Sequence, residues 1–219
     1  MEGRRCAHGG LHAPSLTGEF SRVLVRIVIH LLAFGGGFAV MSLELLGGRI
    51  VAPYFGSGIY VWGSIITVFM TALSIGYLLG GRLSMVKPAL SVFGFFFLGA
   101  ALLLYPLVLY GEPLMQLVFN HVEDPRYGSL LAGTALFVLP TIVLGIISPY
   151  AVRLCVTETH SSGNVAGTLY FVSTLGSALG TLATSFYFVL WFEIDTIITL
   201  LSVALVVMWL VALATARLR

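Results

Sequence analysis

Charge is what this 219-residue chain has least of. Asp, Glu, Lys and Arg together make up 9% of it, against 58% hydrophobic residues and a mean hydropathy of +1.03. Soluble domains carry about 25% charged residues. That deficit excludes a soluble globular fold and points to a polytopic membrane protein. Cysteine is nearly absent too, with only Cys6 and Cys155. The topology argued below puts both on the cytoplasmic side, where a structural disulfide is not expected. Cys6, His8 and His12 are metal-ligand types, but they lack a strong ligand spacing, and HExxH does not occur. No metal or cofactor is expected. A basic patch beyond the charges flanking the apolar segments is also missing, which excludes nucleic-acid binding.

The N-terminal MEGRRCAHGGLHAPSLTGEF has no apolar core, so it does not read as a cleavable signal peptide. Residues 1–22 read as a flexible cytoplasmic tail, and 23–219 as the membrane domain.

A crossing helix needs roughly 20 apolar residues. Six segments qualify: Val25–Val51, Val61–Gly80, Leu90–Tyr110, Leu130–Val152, Val165–Phe188 and Thr196–Ala216. Pro53, Pro88 and Pro113 fall near span ends, where a missing amide costs little. Asp195 stands where the last helix needs an N-cap. The stretch from Glu112 to Gly128 is the longest outer connection. Leu114, Leu117, Val118 and Val122 leave two readings open there, a surface amphipathic helix or a packed loop.

Positive charge sets orientation. Arg4, Arg5, Arg22, Arg26, Arg82, Lys87, Arg153, Arg217 and Arg219 share one side if both termini are cytoplasmic. Arg49, Arg126 and most of the acids then lie outside. The expectation is an all-α, multi-pass inner-membrane protein with both ends in the cytoplasm.

The chain also matches itself at an offset of 104. Arg49 meets Arg153, Val61 meets Val165, Gly63 meets Gly167, Val68 meets Val172, Gly76 meets Gly180 and Leu78 meets Leu182. A three-helix unit is odd, so two copies would be inverted in the membrane, as in transporters. Six helices correspond to half of a major-facilitator fold, which implies a homodimer. Gly76/Gly80 and Gly176/Gly180 read as close helix packing. Gly35, Gly36 and Gly37 allow close contact or a bend.

Glu44 stands inside the first apolar segment. Inserting a charge at mid-helix costs roughly 3 kcal/mol. Such a carboxyl must be paired, be protonated or face a wet cavity. Two readings compete: an ion pair with Arg49 or Arg153, helped by a bend at Gly47–Gly48, or a carboxyl that binds a cation or carries a proton. Arg49 and Arg153 occupy twin places in the repeat, where arginine can also reach the headgroups. Arg22, Arg26 and His30 form an interfacial stripe. Tyr54, Tyr60, Trp62 and Trp191 suit an outer aromatic belt, and Tyr54 or Trp62 can offer cation–π faces. Ser148 and Pro149 are expected to interrupt the end of helix 4 and free a carbonyl toward a cavity. The candidate binding residues are Glu44, Arg49, Tyr54, Trp62, Ser148 and Arg153. No catalytic residue is expected. His121 and Glu123 face the opposite side from Glu158 and His160, so they form no common acid–base site.

The stretch LELLGGRIVAPYFGSGIYVWGSIITVFMTALSIGYLLGGRL, with IISPYAVRL and GNVAGTLYFVSTLGSALGT, resembles the membrane domain of membrane-bound spermidine synthase-like proteins, over roughly Ala39 to Phe192. GYLLGGRLSMVKP, Gly76 to Pro88, partly resembles the major-facilitator loop after helix 2, without its acidic residue. In many members of the spermidine synthase-like family an aminopropyltransferase domain follows the membrane region. The sequence stops at ATARLR, without that domain, a strand-then-GxGxxG motif or an acidic polyamine cleft, so synthase catalysis is not carried over. Two functions follow. One is transport or binding of a small, polyamine-like cationic solute. The other is membrane partnership with a separately encoded synthase-like enzyme.

Overall fold

A computed structural model describes residues 16–86, 88–156 and 162–217. Cys6, His8, His12, Lys87, Glu158 and His160 lie outside them. The described chain is helical, with six helices long and apolar enough to cross a membrane. They are α1 (Leu16–Phe55), α2 (Ile59–Leu83), α3 (Leu90–His121), α4 (Pro125–Cys155), α5 (Ser162–Trp191) and α6 (Ile194–Ala216). Within α5, Thr184–Phe188 form a π-helical turn.

Several boundaries differ from the expectations, for identifiable reasons. Helix α1 already begins at Leu16, within the segment read as tail. Pro113 does not end a span. It lies inside α3 with Pro106, and the helix continues to His121. The stretch from Glu112 to Gly128 is therefore neither a surface helix nor a long loop but the facing ends of α3 and α4. Met115 and Val118 are buried there, which gives that end of α3 a packed face to hold it. Pro140 and Pro149 are both accommodated within α4, so Ser148 and Pro149 do not interrupt it. Glu193, not Asp195, holds the N-cap position of the last helix, without a side-chain capping bond, and Asp195 lies in its first turn. Asp124 caps α4 by accepting the amide hydrogen of Arg126 at 2.9 Å. The tight α1–α2 turn depends on Gly56, whose φ of +83° suits a residue without a Cβ.

Helix α2 runs along α4, α1 along α5, and α3 along α6, with α3 and α1 both also on α4. The three glycines of α1 explain much of this. Each helical residue turns about 100° from the last, so Gly35, Gly36 and Gly37 face three neighbours. They meet Met208 of α6, Ile147 of α4 and the Ser173 carbonyl of α5. Helix α1 stays helical through all three. The paired glycines also pack against backbone. A methyl group at Gly76 would fall on the Ile142 carbonyl, and one at Gly180 on that of Phe38. Gly80 abuts Ile146 and the Pro149 ring, and Gly176 abuts Phe34. Where lipid offers no hydrophobic drive, such close approach supplies much of the helix association.

Tyr150 joins α3 to α4. It is 1% exposed, stacks on Phe93 and receives the Ala89 amide hydrogen at 3.1 Å. That bond satisfies a group at the start of α3 that would otherwise lack a partner.

Candidate functional site

Glu44 is 6% exposed, and its Oε2 is fully buried with no hydrogen-bond partner. Among the described residues the ion pair formed is Arg126–Asp124, at 3.8 Å. The expected pairing of Glu44 with Arg49 or Arg153 is not made. Both arginines are exposed. The antiparallel contacts Gly36–Ile147, Gly47–Phe137 and Gly128–Phe55 set the α1–α4 register. That register places Arg49 and Arg153 about 28 Å apart along the bundle. Helical spacing also turns Arg49 away from Glu44, and Gly47 and Gly48 are packing positions. Gly47 meets Phe137 and Gly48 meets Trp62.

The surroundings of Glu44 follow from helical spacing. Gly37, Val40, Glu44 and Gly48 recur at intervals of three or four, so they share one face of α1. One turn toward the C-terminus of α1 from Glu44, the Trp62 ring covers Gly48. One and two turns toward the N-terminus of α1, Val40 and Gly37 line a cavity of about 40 Å³ between α1, α2, α4 and α5. Its polar lining comes from Tyr77, Ser148, Ser173 and Ser177. That space suits a few water molecules. The carboxyl thus occupies the interior face of α1, between an aromatic cover and a hydroxyl-lined cavity.

The six sequence-derived candidates do not form one cluster. Ser148 lines the cavity, Glu44 lies on the face that leads to it, and Trp62 closes the other end of that face. Tyr54 is half-buried nearer the C-terminal end of α1, edge-on to Phe119 at 6.1 Å. Arg49 and Arg153 stand at opposite ends, exposed. Tyr60 holds Arg126 4.8 Å from its ring centroid, a cation–π contact at the end of the bundle where α2 and α4 begin. Sequence reading missed Tyr77, Ser173 and Ser177. Their signal was present, because the serines share a helix face with Gly180 and Gly176. It also missed a buried hydroxyl chain, in which Thr184 donates to Ser42 at 2.9 Å and Ser42 to the Gly180 carbonyl at 3.4 Å. Thr141 is a second buried group without a partner at its hydroxyl. It shares a face of α4 with Ser148, seven residues on. Among the described residues no cluster of His, Cys, Asp and Glu is arranged to hold a metal ion.

No protein-family model, curated protein or solved structure matches the chain.

Proposed function

We propose that this is an inner-membrane protein that binds or carries a small cationic solute in the crevice between two inverted three-helix units. The observation that carries the reading is Glu44, a deeply buried carboxyl with an unpartnered oxygen on the crevice face of α1. A structural carboxyl in a membrane interior is expected to be paired. Among the described residues this one forms no ion pair, which leaves it free to meet a positive charge brought from outside. The family resemblance around LELLGGRIVAPYFG points to a polyamine-like amine as the first solute to test.

Reciprocal contacts support the inverted repeat. Under the offset of 104, the Gly76–Ile142 contact becomes Gly180–Phe38, and both are close backbone contacts. The Gly80–Ile146 contact becomes Thr184–Ser42, a hydrogen bond. The packing of α2 on α4 likewise maps onto that of α5 on α1. The end of the bundle holding Arg22, Arg26, Arg82, Arg153 and Arg217 is then cytoplasmic, by the positive-inside rule. Trp62 corresponds to Ala166, which carries no ring to cover the cytoplasmic end of the crevice. Access to Glu44 in this closed form is therefore from the cytoplasm. With about 40 Å³ of cavity, a polyamine enters only after α2 or α5 moves outward.

Uptake of labelled spermidine into proteoliposomes tests the reading. Glu44→Gln should lower the rate at least tenfold, and Glu44→Asp less. Equal uptake by wild type and Glu44→Gln would remove the carboxyl from the mechanism.

A further inference from the structure

Two oxygens buried in the bundle interior have no hydrogen-bond partner. One is Glu44 Oε2 on α1, and the other is the hydroxyl of Thr141 on α4. An unsatisfied buried polar group calls for a bound water or ion. Helix contacts place both groups at one junction. Phe137 meets Gly47 of α1, and its ring centroid lies 5.6 Å from that of Phe69 on α2. Thr141 follows Phe137 by four residues, so it faces the same α1–α2 side. Glu44 shares its own face with Gly48, which meets Trp62 of α2, and with cavity-lining Val40 and Gly37. Depth agrees as well. The contacts Gly36–Ile147, Gly47–Phe137 and Gly128–Phe55 set Glu44 about level with Leu139. Thr141 is then only about 3 Å farther along the bundle axis. Helical Cα–Cβ bonds tilt toward the N-terminus of their helix. Because α1 and α4 are antiparallel, Glu44 and Thr141 lean toward each other.

Further oxygens continue from Thr141 into the cavity. Pro149 has no amide hydrogen, so the Gly145 carbonyl one turn earlier loses its helical donor. Gly145 and Ser148 both line the cavity. Helix α4 thus sets the Thr141 hydroxyl, the Gly145 carbonyl and the Ser148 hydroxyl along one side, at intervals of four and three. Carboxylate, hydroxyl and carbonyl oxygens suit hard cations. A single carboxylate balances a single positive charge, and among the described residues no cluster of His, Cys, Asp and Glu accompanies it. That favours an alkali ion over a divalent or transition metal. Size points to a small one. The cavity of about 40 Å³ has room for about one water molecule beside a dehydrated ion, and not for a polyamine. A protonated carboxyl would instead be satisfied by a hydrogen bond to the Thr141 hydroxyl, and the two form none.

We propose that Glu44 and Thr141 are ligands of a sodium ion at the end of the cavity. The Gly145 carbonyl and the Ser148 hydroxyl hold the water that completes its shell. The inference deepens the proposed function and rests on its reading of Glu44 as a cation-binding carboxyl. It assigns the cation that neutralises Glu44 in the closed form. An entering amine must displace that sodium, so the two cations compete for one carboxyl.

Binding of radioactive sodium to the purified protein tests it, in potassium chloride without spermidine. Wild type should bind one sodium per chain, saturably, and Glu44→Gln none. Thr141→Val keeps the side-chain shape but removes the oxygen, and should weaken binding at least tenfold. Thr141→Ser should restore it. Sodium should also raise the unfolding midpoint of wild type more than that of Thr141→Val. Absence of saturable binding, or equal affinity in wild type and Thr141→Val, would overturn the proposal. So would an infrared carboxylic-acid band from Glu44 that persists in saturating sodium, the mark of a proton in its place. Spermidine binding without sodium binding would remove this site and spare the proposed function. Sodium binding without spermidine binding would support the site and remove the amine reading.

Discussion

At the scale of single residues, space and polar satisfaction decide what each position tolerates. Gly176 lies against the Phe34 backbone, so Gly176→Val has nowhere to put its side chain. It should cost about 1–3 kcal/mol, read as a lower unfolding midpoint in detergent. Gly111 is helical, and a methyl group added to it would find nothing within 4 Å. Gly111→Ala should instead gain about 0.5–1 kcal/mol. The glycine pairs were legible in the sequence as packing positions because their four-residue spacing is a helix-surface pattern. What each glycine touches was not, since that depends on which helix lies opposite. Glu44 was equally legible as an anomaly. Its lack of a partner was not, because arginines five and 109 positions away looked available until their exposure and direction were known.

At the scale of elements, proline and glycine carried less boundary information than soluble-protein experience suggests. Pro106, Pro113, Pro140 and Pro149 all sit within helices. Membrane helices accept them because neighbouring helices and local adjustment restore the freed groups. The number and order of spans were readable from apolar run length, and the ends were not. The π-helical turn in α5 left no trace in the pattern, although the Ser42–Thr184 bond now marks its start. The α3–α4 corner offers a clean element-level test. Tyr150→Phe keeps the ring stack on Phe93 but strands the Ala89 amide. It should destabilise the protein by about 1–2 kcal/mol, with α3 amides near Leu90 showing faster hydrogen exchange.

At the scale of the whole molecule, the cytoplasmic access proposed above can be tested without a ligand. With Cys6→Ser and Cys155→Ala as background, Ser148→Cys should react with a membrane-impermeant maleimide from the cytoplasmic side alone. Adding Trp62→Ala should open the second side, because that ring covers the α1 face beyond Glu44. Reaction from the outside in the Trp62-containing chain would reverse the assigned access. The proposed repeat rests on the sequence offset of 104. The reciprocal contacts Gly76–Ile142 and Gly180–Phe38 are consistent with the proposed repeat.

On the proposed reading, Glu44 is kept for binding at a cost in stability. The most direct measurement sets two numbers side by side for Glu44→Gln and Glu44→Met: the unfolding midpoint and the spermidine affinity of the purified protein. Replacing an unpartnered buried carboxyl with a neutral group of similar size should leave stability unchanged or raise it. Affinity should fall at least tenfold. A large loss of stability in both variants, or affinity equal to wild type, would contradict the proposal and return Glu44 to a structural role.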